Sequence, residues 1–159
     1  MNLEPTTLLF PTLPARNLNG RTLTLPAEFG GAFNIAIIAF RRWHQALVDS
    51  WFTFLNPLLA AHPTLRAYEL PIIGRQYILA RPFIDGGMAF AIPDPAVRNR
   101  TLTVYTDVQQ VVTALQIAST ETITLLLVDR TGRIFWRDTG PYTAERAAGL
   151  EQTLATLLQ

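Results

Sequence analysis

FNIAIIAF, residues 33–40, runs directly into RRWHQALVDSWFTFLNPLL, residues 41–59. The first segment is uncharged and rich in branched and aromatic side chains, as in a central strand covered on both faces. After Arg41 and Arg42 the period changes. Trp43, Leu47, Trp51, Phe54 and Leu58 recur at steps of three or four, with Val48, Phe52, Leu55 and Leu59 as a second row beside them. That spacing predicts a helix with a wide apolar face and a narrow polar strip at Gln45, Asp49, Thr53 and Asn56. Pro57 lies inside the pattern and is expected to kink or split the helix. The junction holds Arg41, Arg42, Trp43 and His44, and no nucleophile.

Toward the N-terminus, residues 1–20 read as an extended arm ending in a turn at Asn19-Gly20. Residues 21–25 alternate as an edge strand, and Gly30-Gly31 reads as a turn because no nucleotide-loop motif follows it. Beyond the helix, 65–73 (LRAYELPII) reads as a buried strand. Residues 74–84 read as a helix broken by Asp85-Gly86-Gly87, and 97–100 lead into a third strand at 101–105. Asp107 caps a helix over 108–117, and 123–129 (ITLLLVD) is a second buried strand. Arg130-Thr131-Gly132 turns into an outer antiparallel strand, 133–137, and Thr143 caps a final amphipathic helix reaching Leu158. The helix-connected strands form parallel pairs and the hairpin adds an antiparallel edge. The expected fold class is α/β, a three-layer sandwich with a mixed central sheet and flanking helices, as one domain over 1–159.

Composition narrows the chemistry. Apolar residues make up 49% and charged residues 16%, which excludes a disordered chain. A net charge of +1 gives no general attraction to nucleic acid. All 13 basic residues are arginine, so no lysine is available for a Schiff base or a phosphate loop. Cysteine is absent, which removes disulfides, thiol catalysis and thiolate metal sites within this sequence. The opening MNLEPTTLLFPTLPAR makes a poor signal or transit peptide, and the expected location is cytoplasmic, with no membrane span.

The order of elements, with LPARNLNGRTLTL at 13–25, the strand ending in Phe40 and the late hairpin LLLVDRTGRIFWRD, resembles the thioredoxin-like superfamily, nearest its peroxiredoxin and thiol-reductase branch. The resemblance implies reactive cysteines at the start of the helix after the first buried strand. The matching positions hold Gln45 and Val48. It also implies a cis-proline before the late strand, where this chain has Ile123. The fold therefore carries over and the redox activity does not. FRRWHQALVDSWFTFL, DGGM at 85–88 and FWRDTGPYTAE also resemble relatives that include the mitochondrial ATP synthase assembly factor, which implies a binding protein.

Candidate site residues follow from the junction. Arg41 and Arg42 beside a helix start suit a carboxylate or phosphate, so a small anionic ligand is one candidate partner. With Trp43, His44, Gln45, Asp49 and Ile123 they make a candidate surface for a partner protein. The alternative is a small-molecule enzyme using Arg41, Arg42, His44 and Asp49. A hydrolytic triad from His44, Asp49 and Ser50 is excluded by spacing, since the three do not share a helical face. His44 and His62 are too far apart for a metal site, and no cofactor motif is present. Arg133, Trp136 and Arg137 on the outer strand are a candidate edge for pairing with another chain, including a second copy.

Overall fold

In the computed structural model, which describes residues 8–158, the uncharged strand lies inside a seven-stranded sheet. β3 (Phe33–Ala39) pairs in parallel with β4 (Leu65–Gly74) and antiparallel with β6 (Thr124–Asp129). With β1 (Leu13–Asn17), β2 (Thr22–Leu25), β5 (Leu102–Thr106) and β7 (Ile134–Thr139), the order is β2-β1-β5-β4-β3-β6-β7. Antiparallel hairpins therefore close both edges of a parallel centre.

Strand alternation splits the core into two layers. Ile35, Ile37, Leu125 and Leu127 pack against α1 (Gln45–Ala61) and α5 (Ala144–Leu157). Ala36, Ile38, Leu126 and Val128 face the other way, toward α4 (Val108–Ala114) and the side chains of β1 and β2. This is the expected three-layer α/β sandwich. Asn34, the one polar side chain inside β3, is fully buried and satisfied: it accepts from the Gly31 amide at 2.8 Å and donates to the Gly31 and Val128 carbonyls. A Cβ at Gly31 would lie 2.5 Å from the Phe33 carbonyl oxygen, so only glycine fits this turn.

Several sequence expectations need correction. α1 is one continuous helix through Pro57. Pro57 and Thr53 both lie on its exposed strip, where water can take the carbonyl that proline leaves unbonded. Residues 75–91 are a 3-10 turn, Arg75–Ala80, followed by α2 (Arg81–Ala91), so Asp85-Gly86-Gly87 sits within a helix rather than ending one. Pro82 lies in its first turn, where a missing N–H costs nothing. α3 (Pro95–Arg100), capped by Asp94, precedes β5. The expected N-terminal arm contains β1, paired with β2 and β5, while residues 1–7 lie outside the described part. Among the described residues, no helix is long and apolar enough to cross a membrane.

Candidate functional site

The start of α1 is shaped by His44. A 3-10 turn, Arg42–His44, precedes the helix, and the His44 side chain is fully buried beneath it. Its Nδ1 accepts from the backbone N–H groups of Phe40 at 3.0 Å and Arg41 at 3.2 Å. Two donors on Nδ1 place the ring proton on Nε2, which has no hydrogen-bond partner among the described residues. Burial lowers the imidazole pKa from its usual 6.5, opposed by the Glu121 main chain, reinforced by the Arg41 charge and opposed again by the Glu121 carboxylate. His44 is thus a neutral structural lock on the strand-to-helix junction. His44→Ala orphans two N–H donors and should cost about 2 kcal/mol in denaturant unfolding. His44→Asn, which retains an acceptor, should recover part of that loss.

The other junction residues point in different directions. Trp43 stands out with 56% of its surface exposed, its ring edge-on to His44 at 4.5 Å between centroids. Arg41 pairs with Glu121 at 2.7 Å on the half-exposed surface, and Arg42 is exposed with no ion pair to a described residue. Gln45 donates to the Asp49 carboxylate at 2.9 Å on the outer strip. Arg41, Arg42 and Trp43 share one exposed turn, while His44 lies under it and Asp49 lies one turn along the helix. They do not converge on a common pocket, which an enzyme built on Arg41, Arg42, His44 and Asp49 requires.

Gln45 and Asp49 instead approach a residue that sequence reasoning missed. Glu69, in the middle of β4, is 6% exposed and lies on the α1 face of the sheet. Its pKa is raised to about 7, first by burial; the Gln45 amide opposes the rise, Asp49 adds to it, and Arg100 opposes it. Arg100 in turn stacks over the Phe52 ring at 4.0 Å. The signal was present in LRAYELPII, where one carboxylate interrupts a buried strand.

Val48 and Ile123 are fully buried. The Ile123 carbonyl accepts from Gly140 at 3.0 Å, and the cis X–Pro peptide among the described residues lies elsewhere, at Leu25–Pro26. At the far edge, Trp136 is not presented between exposed arginines. It turns onto the α1 face, 6.2 Å from Trp51, because a bulge opposite Leu127 and Val128 brings Phe135 and Trp136 to the same core. Arg133 lies over the Phe135 ring at 5.1 Å and bridges to Leu9, so part of that edge is already paired; Arg137 is exposed.

An open cleft of about 850 Å³ lies at the C-terminal ends of β4 and β5, lined by Gly74, Arg75, Gln76, Thr106 and Asp107 and by residues 117–120. Among the described residues, no group of three or more histidine or acidic side chains is placed to hold a metal.

No family model matches the chain, and no curated protein matches it. Solved structures do. A putative thiol:disulfide interchange protein DsbE from Chlorobium tepidum aligns over 99% of this chain and 100% of its own, with a TM-score of 0.61 at 14% identity. BsSco, a member of the Sco family of cytochrome c oxidase assembly proteins, aligns over 97% and 96% with a TM-score of 0.62 at 12% identity. A putative electron transfer protein from Aquifex aeolicus VF5 aligns over 94% and 97% with a TM-score of 0.67 at 8% identity. The fold is thioredoxin-like. At these identities the likeness carries the scaffold alone. On this thioredoxin-like scaffold the start of α1 offers an exposed tryptophan and two arginines, and the sequence contains no cysteine to place there.

Proposed function

We propose that this chain is a thioredoxin-fold binding protein that works without thiol chemistry and holds an acidic segment of a partner protein at the start of α1. The observation that carries the reading is Trp43, 56% exposed directly after Arg41 and Arg42 on a turn that His44 locks from below. An exposed indole on the same turn as two arginines has the composition of a binding hot spot, and arginine suits a carboxylate partner. The Arg41–Glu121 pair is half exposed and weak enough for an incoming carboxylate to displace. An assembly role fits the Sco family named for one structural neighbour and the sequence resemblance to the ATP synthase assembly factor.

The test uses the purified chain with extended acidic peptides and neutral peptides of the same length. Acidic peptides should bind, neutral ones should not, and Trp43→Ala or Arg42→Ala should each weaken binding by about tenfold. Disulfide or peroxide turnover by the purified chain, or acidic-peptide binding indifferent to both substitutions, would overturn the proposal.

A further inference from the structure

The segment formed by the 3-10 turn Arg75–Ala80 and α2 has its polarity reversed. Neither piece contains a buried residue. Two of its three charged groups, Arg81 and Asp85, turn toward the sheet. Asp85 accepts from the Thr103 hydroxyl at 3.0 Å and the Tyr105 hydroxyl at 2.8 Å. Arg81 pairs with Asp85 at 3.5 Å and lies 4.8 Å over the Tyr105 ring. Its large apolar groups turn outward instead: Leu79 is 94% exposed, Phe83 87% and Phe90 92%, with Tyr77 and Ile78 also exposed. Leu79, Phe83 and Phe90 follow steps of four and seven, the spacing of one helical face. Gly86 and Gly87 lie between the phenylalanines, and a Cβ on either would meet nothing within 4 Å.

An uncovered apolar row of this kind marks a contact surface. Charge identifies what covers it. From residue 71 to 93 the only carboxylate is Asp85, and it is engaged with the sheet. The freely exposed charge on the segment is Arg75, a cation at the start of the row. The side chains project from a glycine-flattened surface instead of lining a groove, so they suit insertion between acyl chains. Phenylalanine and leucine on one side, arginine for headgroup phosphates and no outward carboxylate are the chemistry of an interfacial helix.

We propose that residues 75–91 dock onto the surface of an anionic lipid bilayer, with Leu79, Phe83 and Phe90 entering the acyl boundary. The chain lies on the membrane through this helix. The surface is distinct from the Trp43 turn, and the proposal stands independently of peptide binding there.

The natural absence of cysteine makes the test direct. The full chain is floated with vesicles of phosphatidylcholine plus phosphatidylglycerol and with vesicles of phosphatidylcholine alone. In parallel, an environment-sensitive dye is attached through Phe90→Cys or, as a control on exposed α5, through Gln152→Cys. Flotation should favour the anionic vesicles, and the dye should shift to the blue at position 90 and not at 152. Phe83→Ser and Leu79→Ser should each reduce partitioning roughly tenfold, at unchanged melting temperature because both positions are solvent-exposed. Trp43→Ala should leave partitioning intact. No flotation with either vesicle overturns the proposal, as does equal flotation of the Leu79→Ser and Phe83→Ser variants. A vesicle-independent blue shift at position 90 accompanied by a dimer in sedimentation also overturns it, because a second copy then covers the row.

Discussion

Trp51→Ala should lower folding stability by about 3–5 kcal/mol, the largest loss expected from any single truncation described for this chain. Trp51 is fully buried at the middle of α1. Its ring meets Tyr142 at 5.5 Å, Trp136 at 6.2 Å and Phe54 at 6.4 Å, each edge-on. Its indole N–H donates to the Gly140 carbonyl at 3.0 Å. One side chain therefore ties the central helix to the last strand and to the loop entering α5. Alanine leaves a large cavity and an orphaned carbonyl. Trp51→Phe keeps most of the contact and should cost less than half as much. Equilibrium denaturant unfolding at fixed pH checks both, and a loss below about 1 kcal/mol for the alanine variant contradicts the packing described here.

Glu69→Gln should raise stability at pH 8 by about 3 kcal/mol and leave it nearly unchanged at pH 4. The sign follows from the protons. The folded Glu69 pKa, about 7, stands above the ordinary 4.5. Between those values the native protein holds a proton that the unfolded chain has released, so stability falls as pH rises and levels off above 7. Glutamine has no charge to bury and removes that slope. His44 acts in the opposite direction. Its lowered pKa means that the unfolded chain takes a proton first, so stability is lost on acidification below about 6.5. The difference between Glu69→Gln and the parent protein cancels the His44 contribution and isolates Glu69. Parallel stability–pH profiles for the two proteins would contradict an interior, proton-holding Glu69.

The legible parts of the fold were those set by strong periodicity. β3, β6, α1 and α5 were visible because their apolar periods leave one packing solution, and Thr143 and Asp107 mark helix starts by capping. The hairpin at Gly132 was visible too, since glycine there has a φ of +94°. At residues 75–91 local propensity and tertiary structure conflict. Two glycines inside a short helix read as a break, yet the Asp85 bonds to Thr103 and Tyr105, eighteen or twenty residues away in sequence, hold the helix on the sheet. Nothing in RIFWR says that Trp136 packs inward: its place is set by the register opposite Leu127, and a bulge beside it brings Phe135 to the same face. At the site, sequence named the turn but not its layering. Nothing in RRWHQ says that histidine goes under and tryptophan stays out; that depends on the two backbone donors left at the end of β3. Glu69 was visible as a residue and invisible as a site, because its partners Gln45 and Asp49 come from another element.

In the function proposed above, the start of α1 recognises its partner through Trp43, Arg41 and Arg42. The three tryptophans report on it, because Trp43 is exposed, Trp51 is buried and bonded to Gly140, and Trp136 is packed between Trp51 and α5. Two-dimensional ¹⁵N–¹H spectra of the full chain, titrated with an extended acidic peptide, should shift the Trp43 indole signal and the amides around residues 40–46 while the Trp51 indole stays fixed. A saturating titration that leaves the Trp43 indole unmoved, or that moves signals only away from the start of α1, would rule out recognition at this turn.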